Sequence, residues 1–165
     1  MGLLGIYMMI DENTLTDMMK LDSDGIFEKV NELEETNETY DIDKLWDGLH
    51  FLLTGVSASS PIEDNELSEA IVGVHVFDTD EENYIAYIEN DKLGEIVKAL
   101  ENVNINNLEQ NFNPKILKKK EIYPNIWENN RKDELFKELL NEYNGLSAFY
   151  KNALEKNANI IYSVF

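Results

Sequence analysis

Residues Asp41–Gly55, DIDKLWDGLHFLLTG, constrain the fold of this chain more than any other stretch. Ile42, Leu45, Leu49, Leu52 and Leu53 recur at three- and four-residue spacing, which lines apolar side chains along one helix face. Asp41 or Asp43 is placed to cap the first turn, where a carboxylate accepts free N–H groups at the positive end of the dipole. Gly55 stands where a left-handed C-terminal residue belongs. The spacing therefore predicts a helix over residues 41–55. Asp43, Asp47, His50 and Thr54 fall at steps of four, three and four along its polar edge. Trp46 precedes His50 by one turn and is expected to lie against it. One side of the helix is read as buried. The other carries the chain's rarest side chains, since only 2 Trp and 2 His occur.

Around this helix, 165 residues without a linker-like change of composition read as one domain. A chain of this size buries roughly 70% of its unfolded surface and needs no covalent staple. It has no cysteine, which removes disulfides, thiolate zinc sites and a cysteine nucleophile together and fits a reducing compartment. The apolar opening, MGLLGIYMMI, is too short for a membrane span and lacks a basic leader and a cleavage site. A cytoplasmic protein that does not enter membranes is expected.

The remaining pattern predicts an α+β fold. Residues 3–10 form a first strand, central because both faces are apolar. Asn13 or Thr14 caps a short helix, and a second helix over 24–33 turns Phe27, Val30 and Leu33 inward. Residues 71–77 and 84–88 read as a hairpin of strands. Helices follow over 90–100, with Leu93, Ile96, Val97 and Leu100 inward, and over 104–112. Asn113-Pro114 starts another, with Asn as cap and Pro at the first position. A long helix is expected over 132–156 and a last strand over 159–165. The total is about four strands and six or seven helices in one compact domain.

Charge supplies the second constraint. The net charge is −19, and residues 1–101 hold 25 acidic against 5 basic side chains, a balance of −20. Residues 102–165 hold 8 against 9, a balance of +1. Such a field repels nucleic acid and anionic membranes and speeds encounter with a basic protein. Lys115, Lys118, Lys119 and Lys120 form the one basic cluster, expected to pair with the acidic surface.

The pattern DIDK-x-WD-x-LHF-x-LTG at 41–55 resembles the signature helix of the YfbM-like proteins, a bacterial family of unknown function. The opening MGLLGIY, LSEAIVG at 67–73, EIYPNIW at 121–127, AFYK at 148–151 and the closing strand are similar to the same family in the same order. The resemblance covers essentially the whole chain. It implies a single α+β domain of the bacterial cytoplasm, and it brings no activity, ligand or catalytic residue.

The chemistry the residues themselves offer centres on Asp43, Asp47 and His50. Carboxylates and an imidazole at this spacing can form an acid–base pair, hold a ligand, or pin neighbouring loops. Asp47-Gly-Leu-His50 has the carboxylate-x-x-His spacing of di-iron bundles, but the second such motif is missing, so no metal and no cofactor are expected. Trp46, Tyr123 and Trp127 are expected to surround a cleft near Asp47 and His50. His75, in a strand, joins that site only if it converges on His50. Ser57, Ser59 and Ser60 follow the helix without a nucleophile elbow. Residues 78–89 imitate a calcium loop but carry Asn83 where the sharp turn requires glycine. The leading expectation is a non-enzymatic, acidic domain engaging a basic protein partner, as an immunity protein or antagonist does, with its oligomeric state left open. The alternative is a small-molecule-binding protein or enzyme with a pocket around Trp46, Asp47, His50, Tyr123 and Trp127.

Overall fold

The computed structural model describes residues 2–80 and 82–165; Met1 of the opening segment and Glu81 of the acidic turn lie outside the described residues. The strands are β1 (Gly5–Ile10), β2 (Thr39–Asp43), β3 (His75–Val76), β4 (Tyr84–Ile88) and β5 (Asn159–Val164). They form one sheet in the order β2-β1-β5-β4-β3, with every neighbouring pair antiparallel. The helices are α1 (Glu12–Met18), α2 (Ser23–Glu34), α3 (Trp46–Thr54), α4 (Glu66–Val72), α5 (Asn90–Glu101), α6 (Ile105–Asn111), α7 (Pro114–Lys119) and α8 (Lys132–Glu155).

Strand alternation divides the core in two, because successive side chains leave opposite faces of a sheet. Tyr7, Met9, Ile42, Ile88, Ile160, Tyr162 and Val164 face the larger core, which α3, α4, α5, α7 and α8 cover. Met8, Ile10, Ile85 and Ile161 face a smaller core closed by Leu15 and Met18 of α1 and Ile26 and Val30 of α2. The first and last strands are thus buried on both sides, as their continuous apolar runs require.

Local signals explain several helices. Asp11, Asp22, Asn65, Asn104 and Asn113 each accept a backbone N–H of the helix that follows. For α1 the cap is therefore Asp11, two residues before Asn13 and three before Thr14. The first N–H of α5 is met from elsewhere: Asn90 N–H donates to Asn159 Oδ1 of β5 at 2.8 Å. Leu93, Ile96, Val97 and Leu100 are its buried residues, as the spacing indicates. Within the basic cluster, Lys118 pairs with Glu128 at 2.6 Å.

Two segments depart from the sequence expectation. The stretch 41–55 is not one helix. Its first residues are β2, where Asp41 pairs with Ile6 and Asp43 with Gly5, and Ile42 enters the larger core from that strand. An isoleucine at this position satisfies a strand period as well as a helical one. The chain turns at Asp43, with φ 53, and α3 begins at Trp46 with no side-chain cap. Its C-terminal residue Gly55 is left-handed, with φ 82. The β-branched run 71–77 is likewise not a strand throughout: α4 continues to Val72, and β3 holds only two residues. Gly73, at φ 84, makes the break, and a Cβ there would come within 2.7 Å of Ala86 Cβ.

What extends α4 over β-branched residues is tertiary. The last carbonyls of a helix lack partners within it. Here they receive tyrosine hydroxyls: Tyr150 donates to Ala70 O at 2.6 Å, Tyr7 to Ile71 O at 2.7 Å and Tyr84 to Val72 O at 2.9 Å. Phenols from α8, β1 and β4 therefore close the end of α4 and aim it across the sheet.

Candidate functional site

Asp47 stands in the first turn of α3 and is 4% exposed. Its Oδ1 accepts from Ser57 Oγ at 2.9 Å and from the Ala58 N–H at 2.7 Å, and its Oδ2 accepts from the Tyr123 N–H at 2.9 Å. One carboxylate thus binds the loop after α3 and the aromatic segment after α7 to the same helix. All three partners are neutral. Among the described residues no lysine or arginine forms an ion pair with it.

His50, one turn on, is fully buried. Its Nδ1 lies 2.8 Å from Val56 O and its Nε2 lies 2.8 Å from Ser68 Oγ. A carbonyl only accepts, so Nδ1 carries the proton and Nε2 accepts from the Ser68 hydroxyl. Ser68 Oγ in turn accepts the Ile62 N–H at 3.0 Å, and Thr54 donates to His50 O at 2.7 Å. Burial holds the imidazole below its ordinary 6.5, opposed by the Val56 carbonyl and the Asp47 charge. The result is a closed network around a neutral ring. The serine–histidine pair resembles a nucleophile and its base, yet Ser68 is itself fully buried and the orienting group is a carbonyl.

The other sequence candidates separate. Trp46 lies on Tyr123 rather than on His50, with ring centroids 5.2 Å apart and planes at 24°. Trp46 Nε1–H donates to Leu3 O at 3.1 Å, and the Leu3 N–H donates to Tyr123 Oη at 2.7 Å. Trp127 is core: its Nε1–H donates to Ile122 O at 2.7 Å, and its ring lies where a Cβ at Gly48 would overlap it. Asp43 is exposed at the end of β2. His75 is exposed on β3, its ring 5.0 Å from that of Tyr87, and it lines a groove that does not include His50. Among the described residues no three His, Asp or Glu come together in a way that would hold a metal ion.

A cavity of about 390 Å³ opens where β1 begins and β5 ends. Trp46, Tyr84 and Tyr162 give it aromatic surfaces, Leu3, Pro61, Val72 and Val164 aliphatic ones, and Asp47, Ser57, Ser59 and Glu82 its polar atoms. Tyr162 is the residue that sequence reasoning missed. It is 1% exposed and stacks on Tyr7 at 4.6 Å, yet among the described residues its hydroxyl has no hydrogen-bond partner. Burial raises its pKa well above the ordinary phenol value, and Tyr84, Tyr150 and the Asp47 carboxylate add to the rise, so the group keeps its proton. Buried hydroxyls are normally paired, which makes this one conspicuous. In sequence it is one tyrosine inside an apolar strand, with nothing to mark it.

An antiparallel sheet with α1 and α2 on one face and the larger helical layer on the other, and an aromatic cavity at its end, defines a single-domain α+β protein. Residues 1–163 match the family described as "Domain of unknown function (DUF1877)", and the chain belongs to that family. It is 27% identical over 157 residues to Protein YfbM of Escherichia coli (strain K12), covering 94% of each chain. The solved structure titled "The Crystal Structure of a Protein of Unknown Function YfbM from Escherichia coli" matches with a TM-score of 0.86 at 26% identity, over 98% of this chain and 99% of that one.

Proposed function

We propose that this chain binds a small organic molecule in the cavity between Trp46, Tyr84 and Tyr162. The observation that carries the reading is the cavity itself, about 390 Å³, with Trp46 and Tyr84 among a mostly apolar lining and Asp47, Ser57 and Ser59 as its polar groups. The volume lies within the range of small-molecule sites, roughly 300–1,000 Å³. In this reading Asp47 shapes the pocket by holding its loops, and His50 braces the wall from behind.

The test is a fragment screen read by the two indole N–H resonances. Trp46 lines the cavity and Trp127 does not, so a true ligand moves the Trp46 signal and leaves that of Trp127 in place. Ser59→Trp, at an exposed position on the cavity rim, abolishes the effect. Fragments that move neither signal, or that bind Ser59→Trp equally well, would overturn the reading.

A second reading is favoured by the −20 balance of residues 1–101: an acidic surface that engages a basic protein partner as an antagonist does. Capture of a basic partner from host lysate at low salt, and its release at high salt, tests it; recovering none at low salt counts against it. Both readings take the protein as cytoplasmic, supported by the cysteine-free composition.

A further inference from the structure

The side chains that line the cavity have spent their donors. Those that carry one are Trp46, Ser57, Ser59, Tyr84 and Tyr162. Trp46 Nε1–H goes to Leu3 O at 3.1 Å and the Tyr84 hydroxyl to Val72 O at 2.9 Å, while that of Tyr162 is enclosed. The two serines form a directed chain. Ser57 Oγ gives its proton to Asp47 Oδ1, because a carboxylate accepts, so in the 3.0 Å contact between the two hydroxyls the donor is Ser59. The backbone N–H groups of Leu3, Ala58 and Ser59, also at the lining, go to Tyr123 Oη, Asp47 Oδ1 and Ser57 Oγ.

What the chain of hydroxyls leaves over is an acceptor. Among the described residues no group donates to Ser59 Oγ, and Ser59 is exposed, so its lone pairs are open to a molecule that enters. Asp47 already holds its three donors and serves to fix the direction of the chain. A ligand that brings only acceptors meets oxygen with oxygen at Ser59. Turning the Ser59 proton toward it breaks the bond to Ser57, so nothing is gained in the exchange. The rest of the lining, Leu3, Pro61, Val72 and Val164 with the rings, offers area and no direction. Such a site binds through its apolar walls and orients its ligand through few polar groups.

We infer that the ligand of this cavity is a hydrogen-bond donor with an apolar body, an alcohol or an amide whose O–H or N–H donates to Ser59 Oγ. The inference rests on the proposed small-molecule reading and adds the class of molecule. Ser59 supplies the directional contact, Ser57 and Asp47 hold its proton away from the cavity, and the apolar lining encloses the body. No covalent bond is made or broken.

A matched set of probes that share one body tests it: phenethyl alcohol, phenethyl methyl ether and benzylacetone, titrated while the Trp46 indole resonance is followed. The alcohol is expected to bind, and the ether and the ketone, which only accept, about fivefold or more weakly. Ser59→Ala, at an exposed position, is expected to leave the chain folded and to weaken the alcohol to the level of the ether. Ether or ketone binding as tight as alcohol binding overturns the donor assignment and leaves the cavity reading standing. A preference for the alcohol that survives in Ser59→Ala overturns the role given to Ser59, and the inference with it. If fragments from the wider screen move Trp46 while none of the three probes does, the donor class alone fails. If nothing moves it, the cavity reading fails too.

Discussion

Two arrangements of polar groups border α4. In the first, His50 is bonded at both ring nitrogens, to Val56 O and Ser68 Oγ, Thr54 donates to His50 O, and Tyr7, Tyr84 and Tyr150 spend their hydroxyls on the last carbonyls of the helix. In the second, Tyr162 belongs to the same cluster of stacked rings, yet among the described residues its buried hydroxyl finds no partner. Burial and residue type do not separate the two, since Tyr7, Tyr150 and Tyr162 are all almost fully enclosed. Saturation does. The three hydroxyls that close α4 each have an acceptor, and that of Tyr162, like Glu34 Oε1, has no partner among the described residues.

Substitutions on either side of that divide are expected to differ in size and finally in sign. His50→Ala empties fully buried space and strands both Val56 O and the Ser68 hydroxyl, so a loss of about 3–5 kcal/mol is expected in urea unfolding. A loss below about 1 kcal/mol would return His50 to the pool of replaceable residues. Tyr150→Phe removes one donor from the end of α4 and leaves Ala70 O buried and unpaired, at a cost of about 1–2 kcal/mol by the same measurement.

The closed network also has a pH signature. Burial depresses the folded-state pKa of His50 below its ordinary 6.5, so the unfolded chain binds the proton first. The stabilisation is complete above about pH 6.5 and is lost as pH falls through the folded value. Glu34, Glu69 and Glu142 act the other way: burial raises their carboxyls, and stability tied to them grows as pH falls. Comparing the wild type with His50→Gln across this range isolates the imidazole, and the drop on acidification is expected in the wild type only. The smallest effect is expected at Tyr162. Tyr162→Phe removes a hydroxyl that has no partner among the described residues, so the protein is expected to keep its stability or gain up to about 1 kcal/mol. A clear loss in thermal unfolding would mean that the phenol is structural after all.

The sequence was legible where the determinants are local. Asn113-Pro114 announces α7, and the spacing of Leu93, Ile96, Val97 and Leu100 announces α5. It misled where one residue fits two periods, as Ile42 does, and where distant partners override propensity. Residues 71 and 72 are β-branched, but Tyr7 and Tyr84 donate to their carbonyls from strands outside the helix. At the candidate site, Trp46, Asp47 and Tyr123 do meet, whereas His50 and Trp127 pass into the core and His75 and Asp43 stand apart. The unpaired Tyr162 hydroxyl is an absence of contact, and no residue pattern encodes it.

The strand order β2-β1-β5-β4-β3 has a consequence for how the molecule is made. β5 is the middle strand of the sheet and the last of the five to leave the ribosome. Until it arrives, β1 and β4 each present an open edge to the cell, through the whole synthesis of α5 to α8. Closure is therefore a late event in biogenesis, and the cavity, walled by residues from both β4 and β5, is completed only then.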